Sequence, residues 1–149
     1  MGMKNKKIRE WQKAEQVVAR LLTELLTDGC LVVNDIKFKY GNIDHLVIRP
    51  DGFVFNIETK AHRGVVTTDG KQLLLNGKPF KKNYFCQMNR TIRWERRIMQ
   101  QLWGKNTWMI AVIVFPNADV RINKSIKRIN VISADKLLSF IRSYSNPKR

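Results

Sequence analysis

Apolar residues recur at helical spacing between Ile8 and Leu26. Trp11, Ala14, Val18, Leu21, Leu22 and Leu25 fall on one stripe and predict an amphipathic helix. Glu15 lies on that stripe, one turn from Trp11 and Val18, and should face inward, where a carboxylate is costly. Thr27-Asp28-Gly29 ends the helix, with Gly29 suited to the left-handed closing position. Three strand-like runs follow: Cys30 to Tyr40, Ile43 to Arg49 and Phe53 to Lys60. Between the last two, Pro50-Asp51-Gly52 predicts a tight turn, Pro presetting its own dihedral and Gly tolerating positive φ. A turn centred on Asp51 pairs Arg49 with Phe53 and, counting back along both strands, Asp44 with Glu58. Directly opposed residues share a face with Cβ atoms about 4.5–5.5 Å apart, and Lys60, two residues on, points the same way. A one-residue slip would undo this arrangement.

Val65 to Thr68 and Lys71 to Asn76 predict a smaller, peripheral hairpin around Asp69-Gly70, and Asn76-Gly77 marks a further turn. A second helix runs from Tyr84 to Trp103, with Phe85, Met88, Ile92, Met99 and Leu102 at core spacing. Arg90, Arg93 and Arg97 form another stripe, with Arg96 beside it. Trp108 to Phe115 reads as a strand buried on both faces. A short strand, Asn130 to Ile132, and a helix from Ala134 to Tyr144, with Ser133 as its N-cap, complete the chain. The expected fold is α/β, in the order αβββ(hairpin)αββα.

The 149 residues suffice for one domain with a real core, and 44% hydrophobic residues exclude a disordered or low-complexity chain. No apolar run approaches a membrane span, and the N-terminal residues lead into no signal segment, so no membrane partner and a cytoplasmic location are expected. Cys30 and Cys86 show no metal-ligand spacing and are read as small buried hydrophobes. Charge changes the picture more. The chain carries 28 Lys+Arg against 12 Asp+Glu, a formal net charge of +16. Residues 1–13 hold 5 basic and 1 acidic, residues 14–77 hold 7 and 8, and residues 78–149 hold 16 and 3. This pattern suggests a polyanion-binding surface around an acidic centre, with nucleic acid ahead of acidic protein or anionic membrane.

Asp44, Glu58 and Lys60 are the residue types a metal-dependent phosphodiesterase needs. Hard oxygen ligands hold Mg²⁺ or Mn²⁺, the metal polarises phosphate and acidifies water, and an ammonium orients that water. The plainer reading is a surface ion pair worth little. Apolar flanks on both faces, among them Leu46, Val47, Val54 and Phe55, argue for a covered sheet instead, where opposed carboxylates repel unless a cation joins them. Ile43-Asp44-His45-Leu46-Val47-Ile48, Gly52-Phe53-Val54-Phe55 and Ile57-Glu58-Thr59-Lys60 followed by Gly64 resemble the nuclease-related domain (NERD) of the PD-(D/E)XK nuclease superfamily. The resemblance extends to Ala14-Glu15-Gln16-Val17-Val18, Val33-Asn34-Asp35, Asn83-Tyr84-Phe85-Cys86-Gln87 and Val112-Ile113-Val114-Phe115, covering roughly residues 10 to 140. Ala14 and Tyr84 depart from a glycine and a proline common in the family, without removing a functional group.

The resemblance implies a restriction-endonuclease-like mixed central sheet flanked by helices, filling one domain over residues 1–149. A basic arm at residues 1–9 and a polar tail at 145–149 would flank the core. It also implies divalent-metal-dependent hydrolysis of nucleic acid phosphodiesters, with Asp44 and Glu58 as metal ligands and Lys60 as catalytic lysine. Glu15 matches the family's first-helix glutamate, a further ligand, and Gln87 its second-helix glutamine, whose site role rests on the resemblance. Arg90, Arg93, Arg96 and Arg97, with Lys81 and Lys82, are candidates for phosphate contact of low sequence specificity. DNA is favoured over RNA, and a homodimer is left open. His45 should face away from Asp44 and serve packing, and His62 is kept as a substrate contact. Trp94, Trp103 and Trp108 are read as packing. A catalytically silent nucleic-acid-binding module of the same fold, and an interaction domain for an acidic protein, are the competing readings.

Overall fold

The turn at Pro50-Asp51-Gly52 closes as the sequence requires. Gly52 has φ 99°, its N–H donates to the Arg49 carbonyl (2.9 Å), and the Arg49 N–H donates to the Phe53 carbonyl (2.9 Å). The computed structural model describes residues 3–39, 41–104 and 108–146. Helix α1 spans Met3–Leu22 and tightens into a 3-10 turn over Thr23–Asp28, closed by Gly29 at φ 84°. Strands β1 (Leu31–Phe38), β2 (Gly41–Ile48) and β3 (Val54–Thr59) follow, then β4 (Gly64–Thr68), β5 (Leu73–Leu75) and β6 (Lys78–Pro79). Helix α2 spans Tyr84–Trp103, β7 Met109–Phe115, β8 Ala118–Val120 and β9 Ile129–Ser133; a 3-10 turn at Ala134–Lys136 leads into α3, Leu137–Ser143.

The main sheet is mixed, in the order β1-β2-β3-β7-β9. β1, β2 and β3 meander antiparallel, while β3, β7 and β9 run parallel. All seven residues of β7 are buried, as expected of a central parallel strand covered on both faces. On one face α1 and α3 pack Val18, Leu22, Leu137 and Ile141 against Val47, Phe55, Ile57 and Val112. On the other, α2 sets Phe85, Met88 and Met99 against residues including Leu46, Ala111 and Ile113. The mixed sheet between helical layers is the predicted fold class.

The predicted peripheral hairpin belongs to a second sheet, ordered β6-β5-β4-β8. Gly64 begins it at φ 119°, and a Cβ there would lie 2.7 Å from Asn76 Oδ1, so only glycine fits. That amide oxygen accepts from the Val65 N–H (2.9 Å).

Several expectations need correction. Trp11 is 46% exposed rather than packed in the stripe, because the buried part of α1 begins at Ala14. Leu102 is 71% exposed near the end of α2, and Cys86 is exposed in its first turn. Ser133 does not cap a helix: its hydroxyl bonds Asp135, and the chain makes a 3-10 turn before α3. Trp108 is 46% exposed, while Trp94 stacks on Phe38 at 5.8 Å. The side chain of Trp103 lies outside the described residues, as do Tyr40 and residues 147–149. No helix among the described residues is long and apolar enough to cross a membrane.

Candidate active site

β2 and β3 pair in the predicted register, with His45 opposite Ile57 and Leu46 opposite Asn56. The next positions toward the open end bring Asp44 across from Glu58. The Thr59 backbone N–H donates to Asp44 Oδ2 (2.9 Å), and Asn42 Nδ2 donates to Oδ1 (3.2 Å), fixing a buried carboxylate from two sides. Lys60 follows β3 and is held to β7 by its N–H bond to the Val114 carbonyl (2.9 Å). Its Nζ lies 3.0 Å from Glu58 Oε1 and 4.2 Å from the centre of the Tyr84 ring, so a carboxylate and an aromatic face aim the ammonium together. The cluster sits at the carboxyl ends of the parallel strands, where open α/β sheets leave room for ligands.

Glu15 reaches this cluster from α1, near enough to Asp44 for the two carboxyl groups to interact. Burial, followed by the charges of Asp44 and Asp35, raises its pKa to about 7. Burial also raises that of Asp44 to about 6, with the Thr59 N–H opposing and Glu58 adding to the rise. Asp35, at φ 56°, lies between the pairs Asn34–His45 and Ile36–Ile43, hence opposite Asp44 on β1. Asp35 carries no role in the sequence pattern read alone, and only its register on β1 brings it to the site.

His45 faces away from Asp44, as expected. Its Nδ1 donates to Asn34 Oδ1 (2.8 Å) and its Nε2 accepts from Thr59 Oγ1 (2.9 Å). Burial lowers its pKa to about 4, so the ring is neutral. The network joins three strands directly behind the acidic end. Glu95 is a second residue that sequence reasoning missed. It is buried beneath α2, accepts from Asn56 Nδ2 at both oxygens (2.8 and 2.7 Å), and has its pKa raised to about 7 by burial. Met88, Ile92, Glu95 and Met99 fall on one helical stripe, the same signal that singled out Glu15.

Oxygen donors of this kind fit a hard divalent cation. Among the described residues, no group of three or more His, Cys, Asp or Glu side chains is arranged to hold a metal by itself. Asp44 and Glu58 are the pair that could bind one, a set suited to Mg²⁺, which typically keeps one or two carboxylates and completes its shell with water and phosphate.

The remaining predicted residues divide into separate places. Lys81 and Lys82 line a cavity of about 660 Å³ that Lys60 also borders. Arg93 and Arg96 line another, of about 250 Å³, where Arg96 and Arg128 each lie 5.4 Å from the Trp108 ring centre. Arg90 and Arg97 are exposed on α2, and so is Gln87, one turn beyond Tyr84.

Comparison with known proteins bears on this geometry. The model of the nuclease-related domain family matches residues 10–116, which include Glu15, Asp44, Glu58, Lys60 and Gln87. None of the curated proteins matches the chain. Among solved structures, the chain is similar to the crystal structure of a repair endonuclease from Pyrococcus abyssi, at 18% identity and a TM-score of 0.39. That alignment covers 85% of this chain and 42% of the archaeal protein, so the chain spans less than half of that protein's length. On the family match, which takes in well over half of its residues, this chain belongs to the nuclease-related domain family.

Proposed function

We propose that this protein is a divalent-metal-dependent nuclease that hydrolyses nucleic acid phosphodiester bonds, DNA in preference to RNA, with low sequence specificity. The observation that carries the reading is that Asp44 and Glu58 stand one residue beyond the His45–Ile57 pair of β2 and β3, with Lys60 Nζ 3.0 Å from Glu58. Asp44 and Glu58 would hold Mg²⁺ or Mn²⁺, which when bound supplies Lewis-acid polarisation of the phosphate and lowers the pKa of water. Glu15, beside Asp44 with its pKa raised to about 7, would add a further carboxylate to this pair when ionised.

Lys60 orients the attacking water through its ammonium, which Glu58 and Tyr84 hold from two sides. Water would attack phosphorus and release a proton to solvent, the bond to the leaving oxygen would break, and that oxygen would take up a proton from solvent. Gln87, exposed one turn from Tyr84, contacts the incoming strand rather than acting as a buried ligand. Basic side chains around the acidic end hold phosphates without reading bases.

Cleavage of labelled DNA and RNA with Mg²⁺, Mn²⁺ or chelator tests the reading. Wild type should cut only with metal, and Glu58→Gln and Lys60→Met should each lose roughly 100-fold or more in rate. Val17→Ser, on the exposed side of α1, should cut like wild type. Equal rates for wild type, Glu58→Gln and Lys60→Met would refute it.

A further inference from the structure

The cavity beside Lys60 has a chemistry of its own. Its floor is aromatic: His62 meets Phe80 at 4.9 Å and Tyr84 at 6.1 Å between ring centres, and Phe80 meets Tyr84 at 5.2 Å. Phe115 of the central strand lies behind them, 5.9 Å from Phe80. The opposite wall comes from α1, where Trp11 leaves nearly half its surface open. Around this aromatic interior stand Lys7, Lys78, Lys81 and Lys82, all exposed, against a single acid, Glu10. The small sheet supplies one wall because β6 carries Lys78 and Pro79 out to the chain's next turn at Phe80.

An occupant that satisfies both features is flat and apolar on its faces and carries negative charge at its edge. A nucleotide has that chemistry, its base stacking on aromatic rings while its phosphates meet lysines. Size narrows the choice. About 660 Å³ lies within the roughly 300–1,000 Å³ of small-ligand pockets. Such a space admits a nucleotide or two and excludes a duplex. Pairing state narrows it again, because a base inside a duplex has both faces covered by its neighbours and offers nothing to Trp11 or Phe80.

We infer that this cavity seats an unpaired nucleotide next to the phosphate at Lys60, so that the protein acts on single-stranded nucleic acid or on strands frayed from a duplex. The inference rests on the nuclease reading for its location and on the cavity's own walls for its specificity. Lys60 is shared: its ammonium closes one side of the cavity while bonding Glu58 on the other. A base seated on the aromatic floor therefore sets which phosphate stands over the acidic pair.

Binding and cleavage test the cavity's ligand and the nuclease activity separately. In chelator, fluorescence anisotropy of labelled oligonucleotides should show single strands bound more tightly than a blunt duplex of the same sequence at the same salt. Trp11→Ala should weaken single-strand binding by roughly 10-fold and leave duplex binding unchanged. Phe80→Ala should do the same, but it also opens the core, so a second arm changes the ligand instead. A strand of abasic sites should bind wild type and Trp11→Ala equally weakly. Parallel DNA and RNA strands identify the sugar that the cavity accepts. Equal affinity for strand and duplex, insensitive to both Trp11→Ala and base removal, would overturn the inference even if the protein cleaves. Stacking-dependent binding without metal-stimulated cleavage would uphold the cavity's ligand and defeat the nuclease reading instead.

Discussion

Glu95 is a carboxyl group kept under α2 by a side-chain amide, and its protonation couples to folding. Burial lifts its pKa from 4.5 to about 7, the Glu58 charge adding and Asn56 opposing. An acid whose folded-state pKa is raised keeps a proton that the unfolded chain has already released. The stability it contributes is full below pH 4.5 and is lost as pH rises through about 7. Glu95→Gln keeps the shape and cannot ionise. In chelator, its thermal midpoint should therefore gain on wild type between pH 5 and 8, by the equivalent of on the order of 3 kcal/mol. Glu15 and Asp44 shift in the same direction but are present in both proteins and cancel in the difference. Parallel pH profiles would refute the prediction. Single residues were legible where local geometry fixes direction: strand alternation and the Asp51 turn sufficed to place Asp44, Glu58 and Lys60 together. Glu95 and Asp35 escaped because their place depends on how α2 and β1 lie on the sheet, although the stripe through Glu95 was there to be read.

Elements bounded by strong local chemistry came out where expected. α2 begins after Asn83, whose Oδ1 accepts from the Cys86 N–H (3.0 Å), and ends at Gly104 with φ 65°, so a cap and a left-handed residue delimit it. β6 and β8 were invisible, since two or three residues show no alternation, and β8 is defined by its pairing with β4, distant in sequence. The same holds for the parallel order of β3, β7 and β9, which no local pattern encodes. One long-range device holds the strands at the acidic end. His45 of β2 joins Asn34 of β1 to Thr59 of β3, and the backbone N–H of Thr59 in turn bonds Asp44. His45→Ala should cost roughly 2–4 kcal/mol in urea unfolding through the cavity and the polar groups left unpaired. Thr59→Val preserves volume and the N–H to Asp44, and should cost about 1 kcal/mol. A loss inside about 0.5 kcal/mol for His45→Ala, as at a surface site, would show that this network does not hold the three strands.

Over the whole molecule, +16 of net charge surrounds a site whose own residues are largely acidic. Glu15, Asp35, Asp44 and Glu58 gather at one end of the main sheet, so a polyanion is attracted by the molecule and repelled by the centre it must reach. On the proposed reading, the lysines of the cavity rim would resolve this conflict by drawing phosphates past the carboxylates to Lys60. Charge counting from sequence foresaw the contrast between basic outer segments and a near-neutral middle that holds most of the carboxylates. It could not foresee that Lys81 and Lys82 border the acidic end while Arg93 and Arg96 border a different cleft beside Trp108. Salt dependence distinguishes these surfaces. For single strands, log K falls against log salt by about 0.7 for each phosphate neutralised. Replacing both Lys81 and Lys82 by alanine should therefore reduce the slope by about 1.4 and slow metal-stimulated cleavage at low enzyme concentration. Replacing Arg93 and Arg97 should change the slope by a similar amount only for substrates long enough to leave the cavity and follow α2. Titrations with strands of increasing length, across a range of salt, give both slopes. An unchanged slope in the Lys81/Lys82 double variant on the shortest strand would mean that phosphates enter by another face.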